Sequence, residues 1–184
     1  VKIYVSAPYL EGITLEKESI FIFENDLQQP KSNLIINLAG NALINARNIQ
    51  AKNVEITMKD NTGFQANIDA KSLEIDAKGD ANINLSGNII KVSELDLRDN
   101  VQLTVNKLTG KKIELSTKGK SIANITFQGK FSELNSSGHS SIQLSGIITK
   151  KSSLTATGNS IIDIRRLDSK SIKTKTSDLG IVNR

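Results

Sequence analysis

The chain has 184 residues, 38% of them apolar, and carries 24 Lys and Arg against 19 Asp and Glu, so it can bury a core and, at a net charge of +5, favours acidic partners. No stretch approaches the ~20 apolar residues of a membrane-spanning helix, and the absence of cysteine excludes disulfides and thiolate metal sites. Aromatic residues are 4% with no Trp, so the core must be aliphatic and stacking platforms for nucleic acid are scarce.

Val1, Ile3 and Val5 alternate at strand spacing and are expected to close an incomplete first coil. The sequence starts at Val1 without an initiator Met, which is compatible with a signal peptide or lipid anchor removed upstream. Ile13 and Leu15 form the next alternating pair. Lys17-Glu18-Ser19-Ile20-Phe21-Ile22-Phe23 then has the layout of Gly119-Lys120-Ser121-Ile122-Ala123-Asn124-Ile125. The interval from Lys17 to Gly40 exceeds one such unit, and Gln28-Gln29-Pro30-Lys31 lies in the excess, so a loop insertion is expected near 25–33.

From Gly40 onward the chain is periodic. Turn residues recur at Gly40, Asp60, Gly79, Asp99, Gly119, Gly138, Gly158 and Asp178, residue types that tolerate sharp turns and positive φ. Four residues after each come Ile44, Phe64, Ile83, Leu103, Ala123, Ile142, Ile162 and Val182. Two further on lie Ala46, Ala66, Leu85, Val105, Ile125, Leu144 and Ile164. Single apolar points near Ile49, Ile89, Leu108, Ile147 and Leu167 follow, then alternating pairs such as Val54/Ile56, Leu73/Ile75, Leu95/Leu97 and Ile113/Leu115. Lys52, Lys71, Lys91, Lys111, Lys130, Lys150 and Lys170 form a charged column at steps of 19 or 20. Glu55, Glu74, Glu94, Glu114 and Glu133 form a second column three residues later, passing into Ser153 and Lys173. Such self-similarity marks a repeat architecture, and the strand spacing within each unit excludes helical repeats. The expected fold is all-β: one domain over 1–184 forming a single-stranded right-handed parallel β-helix (β-solenoid), with about three short strands per 19–20-residue coil and eight or nine coils.

Leu85-Ser86-Gly87, Leu144-Ser145-Gly146, Gly138-His139-Ser140-Ser141-Ile142 and Gly158-Asn159-Ser160-Ile161-Ile162 are recurrent units. With the leading Val1-Lys2-Ile3 and Pro8-Tyr9-Leu10-Glu11-Gly12-Ile13, they resemble the bacterial head GIN domain family, also called autotransporter adhesins. That resemblance spans nearly the whole chain and implies a β-helical fold and an envelope location in Gram-negative bacteria, for a family whose biochemical function is largely unassigned. The chain departs from the family in using Asp60-Asn61 and Asp99-Asn100 at turns where Gly-Ser-Gly is common, and in its richness in lysine.

Stacked lysines repel, and the glutamate column is expected to lie beside them on a solvated outer face and offset this. Compensation fails toward the C-terminus. Residues 1–99 carry a net −4 and residues 100–184 a net +9. Lys150, Lys151, Arg165, Arg166, Lys170 and Lys173 are therefore the candidate binding residues, for an anionic glycan or lipopolysaccharide. Phe127 and Phe131 are expected in the core, which disfavours nucleic acid.

Catalysis has little support. His139 follows Gly138 at the turn position of Asn41, Asn61, Asp80, Asn100, Lys120 and Asn159, and Asp163 fills the outward slot between Ile162 and Ile164. No phosphate loop, His pair or calcium nonapeptide is present, so no catalytic residue, metal or cofactor is assigned; Asp76, Asp80, Asp96 and Asp99 are read as solvated turn acids. The expected function is a non-catalytic structural or adhesive module, periplasmic, surface-exposed or secreted, that binds a repetitive anionic polymer through side-chain ladders. The alternative is a scaffold assembling as a homo-oligomer through the solenoid ends, comparable in principle to bactofilins; a polysaccharide lyase or hydrolase ranks below both.

Overall fold

The corners come first, because they set where the chain turns. In the computed structural model, which describes residues 9–184, Lys17, Gly40, Asp60, Gly79, Asp99, Gly119, Gly138, Gly158 and Asp178 all have φ between 56° and 85°. Left-handed backbone is steep for most L-residues, and Gly or a locally bonding Asp bears it best. The Asp60 carboxylate accepts from the Gly40 N–H at 3.1 Å, and that of Asp99 from the Gly79 N–H at 3.3 Å, so each Asp also ties its corner to the coil before. The strand expected at Val1, Ile3 and Val5 lies outside the described residues.

Between corners the chain forms β1 (Gly12–Leu15), β2 (Ile20–Ile22), β3 (Leu27–Gln29), β4 (Leu34–Leu38), β5 (Leu43–Met58), β6 (Gly63–Gly79), β7 (Asn82–Asp99), β8 (Gln102–Thr117), β9 (Ile122–Ser136), β10 (Ser141–Ala156), β11 (Ile161–Ser169), β12 (Ile172–Thr176) and β13 (Ile181–Asn183). All pairings are parallel, and the strands join into one sheet wound as a β-solenoid of about nine turns. β2, β3 and β4 pair with successive parts of β5, so β5 is three strands joined through two bends. Separate short strands thus occur in the outer coils, while from β5 to β10 each coil is one bent strand of 15 to 18 residues.

Within 25–33, where a loop insertion is expected, Leu27–Gln29 is β3 and pairs with Ile49–Ala51. The excess is split between the turn before it and the turn at Pro30–Asn33. Gln29, nearly buried, fastens this region: its amide donates to the carbonyls of Leu10 (2.7 Å) and Asn33 (3.2 Å), and its oxygen accepts from the Leu10 N–H at 2.8 Å.

The core is a set of columns. Ile36, Ile56, Ile75, Leu95, Leu115, Leu134 and Leu154 stack in register, each buried; each such side chain contributes about 1.5–3 kcal/mol through removal from water. The predicted columns from Ile44 to Ile162 and from Ala46 to Ile164 are likewise interior. Two expectations are corrected. Ile147 is 44% exposed and Ile148 takes the core position, because Gly146 stands in register with the buried Phe127 and alternation then turns Ile147 outward and Ile148 inward. Phe127 is core, but Phe131 is only half-buried and stands in an outward column between Lys112 and Lys151.

Candidate functional site

Lys52, Lys71, Lys91, Lys111, Lys130, Lys150 and Lys170 are all exposed where one face of the coil turns into the next. The pairs Ala51–Ala70 and Asn53–Ser72 place Lys52 directly against Lys71, and the ladder spacing is about 4.8 Å. Among the described residues no ion pair includes any of these lysines.

The glutamates occupy the adjoining face as an unbroken stack, Glu55, Glu74, Glu94, Glu114, Glu133, Ser153, Lys173. A parallel column runs Thr57, Asp76, Asp96, Ser116, Asn135, Thr155, Lys175, so both change from acidic to basic along the axis. The neutralisation expected from the corner lysines comes from elsewhere. Lys112, one residue past the corner, reaches Glu114 at 2.5 Å and Glu133 at 3.1 Å, and these hydrogen bonds raise its pKa against the opposing effect of burial. Arg98 pairs with Asp76 and, at 3.6 Å, with Asp96, two of the acids expected to stand solvated at turns. A corner residue points away from both faces, which is why spacing of three did not bring the columns together.

The six candidate binding residues separate into two groups. Lys150, Lys151, Lys170 and Lys173 gather at the corner and adjoining face of β10 and the coil after it, with the Lys150 ammonium 5.7 Å from the Phe131 ring centre. Arg165 and Arg166 lie at the preceding bend, where Arg166 pairs with Ser145 and lines a cleft of about 220 Å³. Arg165 is engaged: its guanidinium grips Asp163 at 2.5 to 3.1 Å, and its N–H donates to the same carboxylate at 3.0 Å. The side-chain hydrogen bond first, and the backbone one second, hold Asp163 below the usual carboxylate range. His139 sits in the turn column, its Nε2 3.1 Å from Asn159 Nδ2.

Polar ladders escaped the sequence reading. Asn48 donates to Asp26, Asn67 to Asn48 and Ser86 to Asn67, at 2.8 to 3.1 Å. Asn53 donates to Asn33 and Ser72 to Asn53, at 2.9 and 2.7 Å. The signal was the step of 19 or 20 between like asparagines. Among the described residues no cluster of three His, Cys, Asp or Glu is placed to hold a metal ion, and no helix is long and apolar enough to cross a membrane.

No curated protein and no solved structure matches the chain. The family described as "Putative auto-transporter adhesin, head GIN domain" matches residues 1–93, half of the sequence. With β-solenoid geometry and recurrent turn units in agreement, the chain belongs to the head GIN domain family.

Proposed function

We propose that the protein is a non-catalytic adhesive module of the bacterial envelope or cell surface that holds an anionic envelope polymer, such as lipopolysaccharide, at its basic end. The observation that carries this is the register of the outward columns: Glu133 gives way to Ser153 and Lys173 on one ladder and Asn135 to Thr155 and Lys175 on the next, beside Lys150, Lys151 and Lys170. A line of lysines anchored on a rigid sheet presents charge at regular spacing without any backbone to order on binding. The two groups closest to an acid–base pair are engaged otherwise, Asp163 by Arg165 and His139 by the turn ladder, which supports a role without turnover.

Retention on immobilised lipopolysaccharide tests the reading. The wild-type protein should be retained at low salt and released as salt is raised, and K150Q/K151Q/K170Q/K173Q should lose about ten-fold or more in affinity while melting at the wild-type temperature. Retention unchanged in that variant would sink the assignment to the basic end.

A further inference from the structure

At the other end of the lysine corner lies a groove of about 660 Å³ along β5, β6 and β7. Its side is lined by Lys31, Lys52, Lys71 and Lys91, so Lys31 extends the corner column one coil toward the N-terminus. All four are exposed, and among the described residues none is in an ion pair. Two residues before Lys52 and Lys71 runs a parallel outward column, Gln50, Asp69 and Asn88, in register. Asp69 accepts the Asn88 N–H at 3.1 Å through one carboxylate oxygen. Ala51 and Ala70 keep the floor low.

The groove ends where the repeat is irregular. On one side stands the Pro30 turn, which holds part of the excess in that coil. On the other is a bulge in β7: Ile89 faces Gly110 and Val92 faces Lys112, so Ile90 and Lys91 together oppose Lys111, and Ile90 is left 65% exposed. From Lys31 to Lys91 is three ladder steps, about 14 Å.

From this arrangement we infer that the groove is a binding site for an acidic polysaccharide bearing one carboxylate per sugar, of which it takes a segment of about four units, one to each lysine. The lysines meet the carboxylates as point charges. Gln50, Asp69 and Asn88 exchange hydrogen bonds with sugar hydroxyls, and Pro30 and Ile90 offer apolar surface to the C–H faces of the rings. A polyphosphate has no hydroxyl to donate to Asp69 and is repelled by it, and a nucleic acid finds no aromatic platform among the groove residues. The inference rests on the adhesive reading for its ligand class but not on the basic end.

Fluorescence anisotropy with labelled polygalacturonate, neutral dextran and inorganic polyphosphate as probes tests it. K52Q/K71Q/K91Q should weaken polygalacturonate binding by about ten-fold or more, and Ile90→Glu, which keeps every lysine, should weaken it as well. Both should unfold at the wild-type temperature, and K150Q/K151Q/K170Q/K173Q, which leaves the groove whole, should weaken binding of this probe less than either groove variant does. Dextran should not bind, and polyphosphate should bind more weakly. Unchanged binding in the lysine variant, or polyphosphate bound as tightly as polygalacturonate, overturns the inference. Loss confined to the basic-end variant overturns the groove and leaves the adhesive reading standing; a wild-type protein that binds neither polygalacturonate nor lipopolysaccharide overturns both.

Discussion

Asp163 shows what a single side chain's neighbours in sequence disclose and what they leave out. Its outward slot between two core isoleucines is legible from alternation alone, but its partner is not, since Arg165 returns to it only because the strand bends there. The carboxylate's depressed pKa has a consequence for stability. A group whose folded pKa lies below its unfolded value stabilises the fold above the unfolded pKa, and that contribution disappears as pH falls through the folded one. Thermal unfolding of wild type and Asp163→Asn should therefore differ most above about pH 4, the unfolded value, and the difference should shrink as pH falls through the lower folded one. A difference independent of pH would show that the fork does not depend on the carboxylate charge. Phe131 carries the same lesson for apolar residues: hydrophobicity suggested core, whereas register places it outside under Lys150.

At the scale of the coil, the repeat was readable because corners, core and charges recur with one period. The positive φ of every predicted Gly or Asp corner follows from residue chemistry that sequence displays directly. What it did not display was where coils depart from the repeat. Phe127 fills the interior beside three glycines: a Cβ on Gly129 would lie 2.4 Å from its ring, and one on Gly146 would lie 2.1 Å from its carbonyl oxygen. Volume traded between neighbouring coils leaves only a Gly in the sequence, with no sign of which side chain takes the space. Gly146→Ala therefore forces both the backbone contact and a strained φ, and should cost about 2–3 kcal/mol in chemical denaturation. A loss under about 0.5 kcal/mol, the size of an ordinary surface change, would mean the bend relaxes without that glycine. Likewise β3 was hidden inside an apparent insertion because Gln29, a polar residue, is its inward anchor.

Across the whole molecule, the charge imbalance counted along the chain becomes an axial gradient once like positions stack. Both halves of that statement were visible in the sequence, the columns and the imbalance. The candidate site was less so, since Arg165 and Arg166 proved to lie at a different bend from the four lysines, and the groove depends on a bulge that no spacing announces. In the proposed function the solenoid is a solitary body that offers its ladders to a polymer, and not a unit that polymerises through opposite charges at its ends. Light scattering across protein concentration, at low and high salt, with and without sulfated dextran, separates these directly. A solitary adhesive solenoid should keep a constant monomer mass without polymer and form complexes with the polymer at low salt that dissolve at high salt. Growth of large species at low salt in the protein alone, with no complex formed on adding the polymer, would contradict it.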